Sequence, residues 1–201
     1  MNPLDPRLEA IRRALAAHRP QRLVVTPEVR PASVALLVRP ASAAPELLFI
    51  RRAEFDGDPW SGHVAFPGGR RDPLDADAQA TAVRETVEEV GIDLARVGTP
   101  LGALDDVHPR AGAPPVLVSP FVFGVPADVV ACPNHEVCNA LWVPLPTLAS
   151  APARAEHVFH LREAGVTLRF PALRHGGYVI WGLTYRILGQ FLELAGFGAL
   201  P

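Results

Sequence analysis

Residues 33–40, SVALLVRP, are apolar almost without a break. A strand with one wet face alternates polar and apolar residues, whereas a short continuous apolar run is the pattern of a strand covered on both faces. Such a strand needs layers above and below it, which points to an α/β domain with helices packed on a sheet. The next segment, ELLFIRRA (46–53), reads as a second strand across an Ala/Pro/Ser turn. A short strand is expected around Val64–Phe66, inside the turn-rich stretch GDPWSGHVAFPGG. GTPLGALDDV and VLVSPFVFGV read as further strands, LWVPLPTLAS as a strand running into a helical turn, and LRFPALRHGGYVIWG as a late hairpin. LTYRILGQFLELAG reads as a closing helix with Leu183, Ile187, Leu188 and Phe191 along one side.

At the other end, residues 1–20 place Leu8, Ile11 and Leu15 on one side of a short helix that ends before Pro20. This opening has no continuous apolar core of the kind a secretory signal needs. No run of about 18 apolar residues is present, so no membrane span is predicted. Two cysteines make no disulfide framework, and a reducing, cytoplasmic setting is expected. A length of 201 residues fits a single domain over 1–201, in which 22 prolines and 16 glycines imply many loops. The net charge of −2 argues against a general affinity for polyanions, and nucleic acid is not an expected partner. Oligomeric state is left open, with a homodimer among the options.

The segment from Asp77 to Val90 is expected to be helical, with Gly91 as its stop. At about 100° per residue, Glu85, Glu88 and Glu89 fall within about 100° of arc. Ala80, Val83, Val87 and Val90 fall on the opposite side, which is expected to be the buried one. Like charges at this spacing repel. An isolated E-x-x-E-E is most simply a solvated acidic face, but carboxylates on adjacent turns also supply the oxygen ligands that Mg²⁺ or Mn²⁺ requires. A glycine turn in FPGGRRDPLD lies just upstream, where the backbone of Gly68 can approach a metal or a phosphate. Arg84 sits beside the acidic face, suited to orienting a carboxylate by a bidentate pair.

These residues carry a resemblance. RETVEEVGI (84–92) matches the R-E-U-x-E-E-x-G-U half of the Nudix box at every fixed letter, with Thr86 at the first bulky position. The other half departs from the pattern: the gap from Gly69 to Arg84 is one residue too long, and Ala76 stands where the box has its first glutamate, flanked by Asp75 and Asp77. The resemblance implies a Nudix-type α/β/α sandwich around a mixed β-sheet, with the box loop and helix at 68–92. It implies hydrolysis of a diphosphate linked to another moiety, with a Mg²⁺ or Mn²⁺ cofactor held by Glu85, Glu88, Glu89 and Gly68. A carboxylate would accept the proton: Glu88 or Glu89 within the box, or Glu136 from a later loop.

LLFIRRAEFDGDPWSGHVAFPGGRRDP further resembles the region ahead of the box in the coenzyme A pyrophosphatase branch, whose loop carries the same extra residue. That branch has an arginine where this chain has Asp58. The small-molecule partner it implies is a nucleoside diphosphate conjugate, coenzyme A or a derivative, with Arg51, Arg52, Arg70 and Arg71 as candidate substrate cations and Arg110 as a weaker one. Other conjugates (ADP-ribose, NADH, a dinucleotide, a nucleoside triphosphate) and a non-catalytic nucleotide-sensing module are the alternatives. CPNHEVC (132–138) lacks the ligand count and spacing of a zinc site. Trp60 and Trp142 are expected in partly buried structural roles and Trp181 in the core.

Overall fold

The computed structural model describes residues 3–55, 60–109, 115–161 and 166–200. Asp58 and Arg110 lie outside them. The central strand is β1 (Arg30–Arg39), where Ala35, Leu36, Leu37 and Val38 are fully buried, as the apolar run requires. β1 lies antiparallel to β2 (Glu46–Arg52) and to the short β4 (Gly68–Arg70), and parallel to β6 (Val116–Gly124). β3 (Val64–Ala65) and β7 (Val137–Pro144) pair with β2, and β5 (Thr99–Ala103) pairs with β6, giving a mixed seven-stranded sheet.

Alternating side chains of β1 and β2 feed two separate cores. On one face, Ala35, Leu37, Leu48 and Ile50 pack with Ala82 and Val90 of α2 (Ala78–Val90) and with Leu94 of α3 (Leu94–Val97). On the other, Leu36, Val38, Leu47 and Phe49 pack with Leu8, Ile11 and Leu15 of α1 (Pro6–Ala16) and with Ile187, Leu188 and Phe191 of α5 (Gly182–Leu194). The layers are therefore helix, mixed sheet, helix.

One part was not expected from the sequence. A three-stranded antiparallel sheet forms from β8 (Arg154–Leu161), β9 (Val166–His175) and β10 (Tyr178–Trp181). The late hairpin is β9–β10, but RAEHVFHL in β8 gave no strand signal. Arg154, Glu156, Val158 and Phe159 are all exposed there, so no buried face imposes an alternation. A single turn, α4 (Leu145–Ala149), follows β7. Among the described residues no helix is long and apolar enough to cross a membrane.

Candidate active site at the Gly68 loop and helix α2

Helix α2 starts at Asp77, whose carboxylate accepts from the Ala80 N–H at 2.8 Å, and stops at Gly91, where φ is +68°. Its buried face is not the valine face expected above. Val90 is buried and Val83 partly so, but Val87 is 41% exposed. The fully buried residues are instead Thr81, Ala82, Thr86 and Val90, with Glu89 at 2% exposure. Small side chains let a helix approach a sheet more closely than valines do, and Thr86 satisfies its own hydroxyl by donating to the Ala82 carbonyl at 2.7 Å. The helix thus turns its small residues toward β1 and β4, and this brings the edge that carries Glu85 and Glu89 down onto the glycine turn.

The glycine pair makes the close approach feasible. A Cβ on Gly69 would sit 2.4 Å from the Glu85 carboxylate, and one on Gly68 would sit 2.2 Å from the Ser33 carbonyl. The Gly68 N–H donates to Glu89 Oε2 at 2.8 Å. That amide is therefore spent on a carboxylate of the site itself.

Electrostatics follow from this burial. Desolvation pushes the Glu89 carboxyl up to about 7, against the lowering effects of the Gly68 N–H and of Arg52, while Glu85 and Glu136 raise it further. Glu85 is raised in the same direction, again by burial first, with Arg84 opposing. Glu136 is exposed, yet its loop is tied to the site: the Asn134 N–H donates to the Glu89 carbonyl at 3.0 Å and the Ala53 N–H to the Glu136 carbonyl at 2.8 Å.

Arg84 is the hub. Its Nε and Nη2 hold Asp75 at 3.0 and 3.1 Å, its Nη2 also meets Glu85 Oε1 at 3.0 Å and the Arg70 carbonyl at 3.1 Å, and its Nη1 reaches Glu88 at 3.1 Å. Asp75 further accepts from the Asp72 N–H and the Thr81 hydroxyl, and the paired guanidinium holds it far below the usual carboxylate range. Of the two aspartates flanking Ala76, Asp75 thus braces the loop against the helix, while Asp77 caps the helix.

Glu88 lies at the rim, its side chain 54% exposed. Among the described residues no three His, Cys, Asp or Glu side chains converge into a ready-made metal cage. The donor set nonetheless fits a hard divalent cation. Two carboxylates, Glu85 and Glu89, are desolvated against each other beside Glu136, and their mutual repulsion is relieved by a positive ion bound between them.

The four candidate substrate arginines are separated. Arg52 lies on the α2 side of β2, where its charge acts on Glu89. Arg51 faces the opposite side and pairs with Glu54 at 3.1 Å at the edge of a cavity. Arg71 reaches the Asp75 and Ala76 carbonyls at 3.3 and 3.4 Å and so helps hold the loop. Arg70 is exposed beside it. Trp142 carries Arg39 over its ring at 4.2 Å, a structural contact. Trp60 is half-buried. Cys132 and Cys138 are both exposed and free. Trp181 is not in the core as expected. It is half-buried and lines the same cavity as Arg51, because β10 ends at the margin of its sheet.

Comparison with known proteins bears on this arrangement. The family model described as NUDIX domain matches residues 29–162. The human mitochondrial coenzyme A diphosphatase NUDT8 is 34% identical over 170 residues, covering 82% of this chain and 70% of that protein. An uncharacterised Schizosaccharomyces pombe protein is 42% identical over 114 residues, 54% of this chain, and the match spans only 35% of that relative's length. The crystal structure of a MutT/nudix family protein from Enterococcus faecalis aligns with a TM-score of 0.51 at 16% identity, over 83% of this chain and 55% of that one, a likeness of fold.

Proposed function

This chain belongs to the Nudix family of hydrolases, and from that membership we propose that it is a divalent-metal-dependent pyrophosphohydrolase cleaving the diphosphate of coenzyme A or a derivative to 3′,5′-ADP and 4′-phosphopantetheine. Nudix hydrolases act on small-molecule nucleotide substrates and generally need a divalent metal. The choice of coenzyme A rests on the 34% identity with the human coenzyme A diphosphatase across most of both chains. In this reading residues 1–201 act as one domain in the cytoplasm, although the human relative's name puts that protein in mitochondria.

One observation carries the chemistry: a buried carboxylate, Glu89, pinned by the Gly68 N–H and crowded by Glu85 and Glu136. Bound at Glu85, Glu88 and Glu89, Mg²⁺ or Mn²⁺ would supply charge neutralisation at the phosphates. The protein supplies the rest. The Gly68 amide fixes Glu89 Oε2, which orients the carboxylate, and burial brings its proton affinity near neutrality, where a general base works best. Arg84 holds Glu85 in place and braces the loop through Asp75. Glu136 stands as a second proton acceptor on a loop tied to the end of α2.

The test is a turnover screen of coenzyme A, dephospho-coenzyme A, ADP-ribose, NADH and dinucleoside polyphosphates with Mg²⁺ and Mn²⁺, resolving products. Coenzyme A should give 3′,5′-ADP and 4′-phosphopantetheine. It should exceed dephospho-coenzyme A in kcat/KM by about tenfold to a hundredfold, the worth of one charged hydrogen bond. Equal rates on the two, or a clear preference for ADP-ribose, would replace coenzyme A with another nucleoside diphosphate conjugate. No turnover of any of them would point to a nucleotide-sensing module.

A further inference from the structure

On the far side of β2 from Glu89, β3, β8 and β10 enclose a cavity of about 440 Å³, within the roughly 300–1,000 Å³ that small-molecule sites occupy. Its lining includes Arg51, His63, His157, Tyr178 and Trp181. The Trp181 indole stacks on the His157 ring at 4.0 Å and 28°, meets His63 edge-on at 5.0 Å, and is backed by Phe159 and Phe170 at 5.7 and 5.6 Å. A tryptophan wedged among four rings is held rigidly, yet it stays only half-buried and borders open space. His157 has its pKa lowered by burial, so its ring stays neutral near pH 7 and presents a flat, uncharged face. Tyr178 is fixed at the rim, its hydroxyl accepting from Asn139 Nδ2 at 2.6 Å.

Two things tie this cavity to the reaction. Arg51, a lining residue, is the immediate neighbour of Arg52, whose charge acts on Glu89, so cavity and carboxylate cleft lie on the two faces of the same end of β2. The Arg51 guanidinium pairs with Glu54, a carboxylate 73% exposed, which an incoming anion can displace. A flat aromatic surface with a cation at its edge suits a nucleobase carrying a phosphate, since stacking on aromatic rings accepts any base and arginine recognises the anion.

We propose that this cavity binds the adenosine 3′-phosphate end of the substrate, with the base against the Trp181–His157 rings and the 3′-phosphate on Arg51. The proposal rests on the coenzyme A reading above and assigns its specificity to residues outside the box helix.

The experiment measures binding of 3′,5′-ADP, 5′-AMP and 4′-phosphopantetheine to the full chain by calorimetry. These ligands contain no anhydride, so binding is read without turnover. Trp181→Ala removes the centre of a packed ring cluster and risks misfolding. His157→Ala and Arg51→Ala remove half-buried side chains away from that centre and carry the test, with thermal midpoints as the folding control. Arg51→Ala should weaken 3′,5′-ADP by about tenfold or more while 5′-AMP changes by less than about twofold. His157→Ala should weaken both nucleotides by at least about fivefold and leave 4′-phosphopantetheine unaffected. Wild-type affinity for 3′,5′-ADP in both folded variants would overturn the proposal. If coenzyme A is still cleaved by the wild type, the functional reading survives that failure. If 5′-AMP binds the wild type as tightly as 3′,5′-ADP, the 3′-phosphate contact is overturned.

Discussion

The carboxylate cleft and the aromatic cavity lie on opposite sides of one strand, one residue apart at Arg51 and Arg52, yet they are built in contrary ways. The cleft draws almost all its parts from 68–90, a single loop and helix, and buries charge. The cavity draws on residues 51, 62–64, 157, 176–179 and 181, and keeps rings half-exposed. Burying a carboxylate costs stability unless hydrogen bonds and counter-charges offset it, so nearly every polar atom of the cleft is committed: Glu89 to Gly68, Asp75 to Arg84, Thr81 and Asp72. Half-exposed rings carry no such requirement. The cleft should therefore be intolerant of change and lose stability as pH rises through neutrality, whereas the exposed rim of the cavity should tolerate substitution.

The largest expected effect breaks the cleft's chemistry while keeping its shape. Glu89→Gln retains an acceptor for the Gly68 N–H but removes the charge and the proton acceptor. Turnover should fall by roughly 10²–10⁴-fold, the usual contribution of a positioned acid or base, with no loss of thermal stability. Wild-type rates at saturating Mg²⁺ would refute the role given to Glu89.

The next effect is on stability. With metal removed by a chelator, Glu89 titrates near 7 in the folded protein and near its ordinary 4.5 when unfolded. A carboxyl raised in this way favours the folded state fully below about pH 4.5, and the advantage is lost as pH rises through 7. Urea unfolding should therefore show the metal-free protein losing up to about 3 kcal/mol between pH 4.5 and 8. Saturating Mg²⁺ should restore stability at pH 8 by binding the ionised site, and Glu89→Gln should flatten the slope. A metal-free stability that rises over the same range would break the contrast with the cavity.

The smallest effect sharpens it from the other side. Tyr178→Phe removes the hydroxyl bonded to Asn139 at an exposed rim. Denaturation midpoints should shift by no more than about 0.5–1.5 kcal/mol, independently of pH between 5 and 8. A larger loss would mean the cavity wall is as tightly coupled to the fold as the cleft.

These two regions also mark how far the sequence could be read. The double-sided burial of β1 was legible because four consecutive apolar residues leave no wet face. The box helix and its Asp77 and Gly91 ends were legible because caps and period are local properties. Which side of α2 is buried was not: valines outweigh alanine and threonine in hydrophobicity, but the packing of Ala82 on β1 and β2 and the close approach of Glu85 to Gly69 win, and only a packed sheet reveals that the turn lies there. Asp75 was visible as one of two options, and the choice fell to the loop's path back to Arg84. β8 and the ring cluster on Trp181 had no local signature at all.

The division has one physical cause. Chain-local facts such as strand burial, helix period, capping and the grouping of three glutamates depend on residues a few positions apart, and the sequence by itself determined them. The rotation of α2, the hydrogen bond from Gly68 to Glu89, the raised proton affinity it opposes, and the meeting of Arg51 with His157 and Trp181 depend on contacts between segments up to 130 positions apart. Burial and dielectric are properties of the assembled layers, so only the tertiary structure decided them.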